Sequence, residues 1–399
     1  MNQELSSFAA RLRETIHGRD AALRRPDSAA RCPYQESEFN PLALELFALQ
    51  FESNFAYRKI CEARKFTPEI IEHWTQIPAV PTATFKELEL TSLALNERTA
   101  VFHSSGTTEQ KPSRHFHNAE SLAVYEASLW SWFESEALGG GRKALDLVIL
   151  TPPPEQAPHS SLVHMFEIIR LKIGKANNGG ASVPASRTFF GKISADGTWI
   201  LDFDAMRATL SPPASRPAPR ALFLLGTALS FVHLLDYLVE RDLRVELPAA
   251  SRVMETGGYK NRSRSMPKAE LHSLITKFLG VPRENIICEY GMSELSSQAY
   301  SVASDEWQVT GKGGATHPSS LIAHHFQFPS WARAQIISPE TGREVGEGET
   351  GLIRVFDLAN VFSVAAIQTE DLGIRRGAGF ELIGRAQLAG PRGCSLMTG

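Results

Sequence analysis

Four cysteines in 399 residues, Cys32, Cys61, Cys288 and Cys394, share no paired spacing. That scatter argues against a disulfide framework or a zinc site, and it leads us to expect reduced thiols in a cytoplasmic protein. Charge of one sign is also scarce. Lys and Arg number 41 against 44 Asp and Glu, a formal net charge of -3, so the chain carries no electrostatic footprint for nucleic acid. The longest apolar region, residues 221–239, is broken by Gly226, His233 and Asp236, which excludes a membrane span. The opening MNQELSSFAARLRE carries acids early and has no apolar centre, unlike a secretory signal. Internal repeats and low-complexity segments are lacking too. What remains is an ordinary globular composition, 43% apolar and 21% charged, in a chain long enough for two domains or for one large domain with appendages.

Taken in order, residues 1–75 read as mainly helical, with apolar faces from Leu42 to Phe55 and Tyr57. The proline-punctuated stretch 77–86 connects this segment to an α/β core over 76–330. There Asn118 caps a helix running to about Leu138, Leu145 to Leu150 form a strand, and Ser160 or Ser161 caps a second helix containing His164. The alternation continues with a strand Ala221 to Leu225 turning at Gly226 into a helix, a strand Arg252 to Glu255 before a helix 267–279, and a strand Asn285 to Glu289. Alternating strands and helices predict a largely parallel sheet covered on both faces, with ligands outside the carboxyl ends of its strands. From 331 to 399 the character is β-rich: a hairpin around Arg333 to Ser338 and Leu352 to Phe356, then strands Phe362 to Thr369 and Phe380 to Ile383.

One loop carries more than punctuation. Val101 to Arg114 read VFHSSGTTEQKPSR, in which Ser104, Ser105, Gly106, Thr107 and Thr108 bring four hydroxyls and a glycine just ahead of Lys111 and Arg114. Close backbone approach, abundant donors and nearby cations suit phosphate, although a plain hydroxyl-rich surface loop has the same composition and the spacing is not that of the Walker motif.

SSGTT at 104–108, EYGMSE at 289–294, QTED at 368–371 and IGR at 383–385 fall in the order of the core motifs of the adenylate-forming superfamily of acyl-CoA synthetases and ligases. More closely, FTPEIIEHWTQIPAVPTATFK at 66–86, SRH at 113–115, TGGYKNRSR at 256–264 and RGCSL at 392–396 resemble the LuxE-type acyl-protein synthetases. The resemblance covers most of the chain from about residue 50 and implies layered sheets with helices like the N-terminal domain of adenylate-forming enzymes.

It also implies chemistry. A carboxylic acid, fatty in this family, attacks the α-phosphate of ATP, and charge neutralisation and alignment carry the step. By the resemblance, Ser104, Ser105, Gly106, Thr107 and Thr108 hold the phosphates, with Lys111 as an electrostatic helper, and Glu294 helps hold Mg2+, a cation that favours oxygen ligands. Tyr290 lies beside adenine, with Gly257, Gly258, Gly291, Met292 and Ser293 completing the nucleotide site. Asp371 accepts from the ribose hydroxyls, and Arg385 lies near the ribose or phosphate. Each motif has a plainer counterpart: Tyr290-Gly291 also fits a strand-ending turn, Glu294 a helix-start carboxylate, and Asp371-Leu372-Gly373 a hairpin turn. His103, His115 and His117 make a poor metal case without neighbouring acids or cysteines, and His164 suits a core position.

The departure from the superfamily is informative. Acyl-CoA synthetases continue beyond this arginine into a mobile domain with a catalytic lysine, whereas fourteen residues follow Arg385 here, so that domain is expected to be missing or truncated. In its place stands Arg392-Gly393-Cys394-Ser395. The resemblance makes Cys394 the thiol that takes the acyl group as a thioester, and Arg392 can lower its pKa. An acyl reductase or acyl-carrier partner is the expected recipient. A ligase that acylates CoA or a carrier thiol, and a non-catalytic nucleotide-binding subunit, are the alternatives.

Overall fold

The fold is described from a computed structural model, which defines residues 2–23, 36–104, 111–139, 145–177, 188–210, 220–257, 266–301 and 325–386. Helices α1 (Gln3–Leu23), α2 (Glu36–Ser53) and α3 (Phe55–Ala63) open the chain. The short strand β1 (Val80–Pro81) and helix α4 (Thr84–Glu87) lead to a hairpin of β2 (Ala100–His103) and β3 (Arg114–His117). The core alternates α5 (Ala119–Glu136), β4 (Leu145–Ile149), α6 (Ser161–Asn177), a small β5 (Gly191–Ile193) and β6 (Trp199–Leu201) ribbon, α7 (Phe203–Leu210), β7 (Ala221–Thr227), α8 (Ala228–Glu240), β8 (Arg252–Thr256), α9 (Lys268–Leu279) and β9 (Ile286–Tyr290). It closes with β10 (Ala299–Ser301), β11 (His325–Gln327), β12 (Ala332–Ile337), β13 (Thr350–Asp357), β14 (Ala366–Arg376) and β15 (Gly379–Arg385).

Local sequence explains most of these boundaries. Asn118 accepts the amide of Ser121 at 2.8 Å and starts α5, Thr227 accepts the amide of Ser230 at 3.0 Å and starts α8, and Gly280 ends α9 at φ +65°. Strands β4, β7, β8 and β9 pair in parallel, as the alternation predicts. Their two faces divide the core. Leu222, Leu224 and Val253 pack with α7, α8 and α9, while Phe223, Leu225 and Met254 pack with α5 and α6. Both faces are covered, so both sets of side chains are apolar.

The β-rich tail does not stand apart. Antiparallel pairing through β10, β11 and β15 joins it to β9, giving one sheet in the order β12-β13-β14-β15-β11-β10-β9-β8-β7-β4, with β1 added parallel to β14. Helices α1 to α3 share a hydrophobic cluster with β12 to β14, where Phe39 meets Trp74 and Phe356 edge-on. The N-terminal helices therefore cover the C-terminal strands.

Two boundaries differ from the sequence expectation. Gly226 is not a turn but the sixth residue of β7, where a glycine fits a crowded position: a Cβ there would stand 3.0 Å from the Leu150 Cβ and 3.2 Å from Phe231. The expected strand from Phe362 to Thr369 holds only from Ala366, where β14 starts; the residues before it lie in a buried turn over 358–364. Among the described residues no helix is long and apolar enough to cross a membrane.

The two-faced packing makes a direct prediction. Leu224 is fully buried on β7 whereas Val239 on α8 is 52% exposed. Leu224→Ala should cost about 2–5 kcal/mol in equilibrium denaturation and Val239→Ala no more than about 0.5 kcal/mol.

Candidate active site

The hairpin of β2 and β3 presents the phosphate-like loop. Ser104 closes its neck: its amide donates to the Ser113 carbonyl at 3.3 Å and its hydroxyl accepts the Ser113 amide at 3.0 Å. Ser105, Gly106, Thr107 and Thr108 lie outside the described residues, as do Gly258 and Cys394. The base of the hairpin touches the segment after β9. Ser113 Oγ lies 3.5 Å from Ser293 Oγ, and His115 Nδ1 lies 2.8 Å from the Ser293 carbonyl. Burial drives the His115 pKa down to about 4, the Ser293 carbonyl opposing it, so the ring is neutral and its Nδ1 carries the proton. The Ser293 hydroxyl in turn donates to Glu294 Oε2 at 3.0 Å. Two motifs 180 residues apart in sequence thus share one hydrogen-bonded seam.

Glu294 is 5% exposed, and its position is fixed from behind. Asn360 Nδ2 donates to its carbonyl at 2.9 Å. The fully buried Asp357 accepts the amides of Ser296 (3.0 Å), Ser297 (2.8 Å) and Ala359 (2.9 Å) and the Ser297 hydroxyl (2.7 Å). Gln50 of α2 completes the brace by donating to the carbonyls of Asn360 and Val361 and accepting the Ala365 amide. None of Gln50, Asp357 and Asn360 is singled out by the sequence, since each partner lies far along the chain.

A second group forms across the sheet. The Tyr290 hydroxyl donates to Asp371 Oδ2 at 2.9 Å, and Arg385, opposite Asp371 in the β14–β15 register, brings Nε to 3.9 Å from Asp371 Oδ1. Burial pushes the Asp371 carboxyl above the usual carboxylate range, while the Tyr290 hydroxyl and Arg385 pull the other way. The Tyr290 ring is enclosed by Phe326, Phe328 and Phe380, edge-on to Phe380 at 5.2 Å. Asp371 sits inside β14 at an irregularity between Leu372 and Gly373, so Asp371-Leu372-Gly373 is not a hairpin turn.

The other expected residues fall into place around these. Gly257 follows β8 at φ +70°, a backbone state that glycine adopts without strain. Gly291 gives room of a different kind: a Cβ there would lie 2.3 Å from Glu289 Oε1, so the Glu289 carboxyl would have to move. Met292 packs partly buried against the core, and its carbonyl accepts the Leu295 amide at 3.1 Å. Lys111 pairs with Glu87 at 3.8 Å, with both side chains exposed, and Arg114 pairs with Glu89 at 3.1 Å. His164 is a core residue, its ring 5.1 Å from Phe102 and 5.5 Å from Tyr125.

Glu289, at the end of β9, has an environment that the motif hides. It faces Thr256, whose hydroxyl donates to its Oε2, and lies beside the residues after β9. Burial raises its pKa to about 7, with Glu255 adding to the rise and Thr256 opposing it. The folded state therefore retains this proton between roughly pH 4.5 and 7 while the unfolded chain releases it. Its stabilisation is fullest below pH 4.5 and is lost as pH rises through 7. Glu289→Gln should gain stability relative to the parent over that window, by on the order of 3 kcal/mol at its upper end, in denaturant melts at stepped pH.

With this geometry in hand, comparisons place the chain among known proteins. The family model described as "Acyl-protein synthetase, LuxE" matches residues 30–398. The long-chain-fatty-acid–luciferin-component ligase of Aliivibrio fischeri is 22% identical over 377 residues, covering 89% of this chain and 86% of that protein. Among solved structures, 2-hydroxyisobutyryl-CoA ligase bound to 2-HIB-AMP in the postadenylation state superposes at a TM-score of 0.58 with 14% identity, over 88% of this chain and 68% of that one. An ATP-bound RpMatB-BxBclM chimera is matched over only 49% of its length, at a TM-score of 0.44. The fold is that of adenylate-forming ligases, and the chain belongs to the LuxE family of acyl-protein synthetases.

Proposed function

We propose that this protein activates a long-chain fatty acid with ATP and passes the acyl group to its own Cys394, for delivery to an acyl reductase or a carrier thiol. The acid class follows from the name of the Aliivibrio relative, and the near-terminal thiol from the RGCSL run. The observation that carries the reading is the convergence of the hairpin neck, Glu294 and the Tyr290–Asp371–Arg385 group around the carboxyl end of β9. Ligands of such sheets gather at strand ends of this kind.

In the first step an oxygen of the acid attacks the α-phosphorus of ATP. The phosphorus–oxygen bond to pyrophosphate breaks, leaving acyl-AMP. Ser104 and the following residues through Thr108 would hold the phosphates with hydroxyls and amides. Asp371 would accept from the ribose hydroxyls, its carboxylate aimed by the Tyr290 hydroxyl, and Arg385 would lie over the ribose or α-phosphate. Tyr290, enclosed on its flanks by phenylalanines, would offer adenine a ring edge, with Gly257, Gly258 and Gly291 keeping the backbone close.

The donor set suits Mg2+: Glu294 is a buried carboxylate with one hydroxyl partner shown, beside the loop that would bring phosphate oxygens. The cation would be held by Glu294 and those oxygens, and it would neutralise charge on the phosphates. In the second step the Cys394 thiolate attacks the acyl carbonyl, the carbon–oxygen bond to AMP breaks, and a thioester forms.

Two measurements separate these steps. Acid-dependent ATP–pyrophosphate exchange should fall by about 10²–10³ in Glu294→Gln and cease on chelation of Mg2+, while Asp371→Asn should raise the KM for ATP about tenfold. Single-turnover labelling with radiolabelled acid should give a hydroxylamine-sensitive protein adduct that disappears in Cys394→Ala, with pyrophosphate exchange retained. A label that survives in that variant, or an exchange assay silent with every acid, defeats the proposal.

A further inference from the structure

Directly behind the carboxyl ends of β8 and β9, on the face of the sheet covered by α9, stands a cluster that the adenylation chemistry does not use. Glu255 and Cys288 are register partners on neighbouring strands, one residue before Thr256 and Glu289, and His272 reaches them from α9. All three are buried. Glu255 Oε1 lies 3.0 Å from Cys288 Sγ and 3.4 Å from His272 Nε2, and the sulfur lies 3.8 Å from the same ring nitrogen. Lys268 Nζ reaches the same oxygen at 2.9 Å, while Glu255 Oε2 is buried with no hydrogen-bond partner among the described residues.

We infer that Glu255, His272 and Cys288 form a binding site for a divalent cation of the zinc class, and that Lys268 occupies the cation's place when metal is absent. The donors are one thiolate sulfur, one imidazole nitrogen and one carboxylate oxygen, the set zinc takes. Zinc bonds of about 2.0–2.3 Å at tetrahedral angles put neighbouring donors roughly 3.3–3.6 Å apart. The three observed separations straddle that value within about half an ångström, so small side-chain rotations suffice.

Charge balance points the same way. Without metal, the Glu255 carboxylate and the Lys268 ammonium cancel beside the Cys288 thiol. With metal, carboxylate and thiolate cancel a dication, and a ligating imidazole adds no charge. Binding then forms three metal–ligand bonds in exchange for water, releases the Cys288 proton to solvent and frees the Lys268 ammonium from the carboxylate. A buried site tolerates both states because neither leaves a net charge inside. Lys268 has somewhere to go: its side chain is 35% exposed, and its ammonium already lies 5.3 Å over the Phe326 ring. The metal would staple β8, β9 and α9 just beneath Gly257 and Tyr290.

Cobalt reports such a site through a thiolate charge-transfer band. Full-length protein, stripped with chelator and kept reduced with a phosphine, is titrated with Co2+. One equivalent should bind with that band, zinc should displace it, and the band should vanish in Cys288→Ser and persist in Cys394→Ser. Lys268→Met, which removes the competing cation, should tighten cobalt by at least about tenfold, a gain that no misfolded variant can give. Circular dichroism reads the fold of each variant. No band in either parent or Lys268→Met protein at millimolar cobalt, or a band that survives Cys288→Ser, overturns the assignment and leaves the cluster a buried ion pair.

Discussion

A single buried carboxylate organises the site. Asp357, with no exposed surface, collects three backbone amides and a hydroxyl, and so ties Ser296 and Ser297 after β9 to the turn at Ala359. Leaving such a group without donors is expensive, which is why the surrounding backbone has so little freedom. Burial raises the Asp357 pKa and the four donors oppose the rise. Because Asn360 continues from the same turn to the Glu294 carbonyl, the site carboxylate inherits its placement from a residue that lies behind it. Rigid support of this kind is what a charge-stabilising site needs, since donors that must reorganise lose their advantage.

The same logic shapes the other half of the site. Asp371 and Arg385 face each other only because β14 and β15 pair in a particular register, interrupted between Leu372 and Gly373. Gly373 tolerates the crowding there: a Cβ would stand 3.0 Å from Ile353 and 3.2 Å from the Glu381 carbonyl. Sheet irregularities commonly re-aim a side chain beside functional residues. Beneath them, stacked Phe326 and Phe380 form an apolar floor that orients Tyr290.

The sequence told most about what is local and periodic. Asn118 before an apolar helix, the alternation of Leu145 to Ile149 with Ala221 to Thr227, and Gly280 after Lys277 all act within a few residues, so they are readable without a structure. The turn after β13 looks like a strand in sequence for a physical reason. Val361, Phe362, Val364 and Ala365 are apolar and buried, as in a strand, yet the carbonyls of Val361, Phe362, Ser363 and Val364 and the Ala365 amide are satisfied by the side chains of Gln50, Thr91, Asn54 and Asn360, with the Ser92 amide, rather than by a neighbouring strand. Long-range side-chain bonds of that kind leave no trace in periodicity. Within the candidate site, the order of motifs points to Glu294, Tyr290, Asp371 and Arg385; Asp371 contacts Tyr290 and Arg385, and Glu294, four residues beyond the end of β9, accepts from Ser293. Glu289 reads in the sequence only as part of a motif, because its environment comes from Thr256 and Gly291 folding around it. Ser113 and His115 were likewise visible as letters but not as neighbours of Ser293.

The clamp between Gln50 and the turn after β13 has a consequence for how the molecule is made. Its two sides are 310 and more residues apart, so during synthesis α2 leaves the ribosome long before Asn360, Val361 and Ala365 exist. Until then the apolar faces of α1 to α3 have no strands to cover, and a closure that long costs entropy before it returns anything. The nascent chain must either stay shielded by chaperones or settle the central parallel strands first, with the amino-terminal helices docking last.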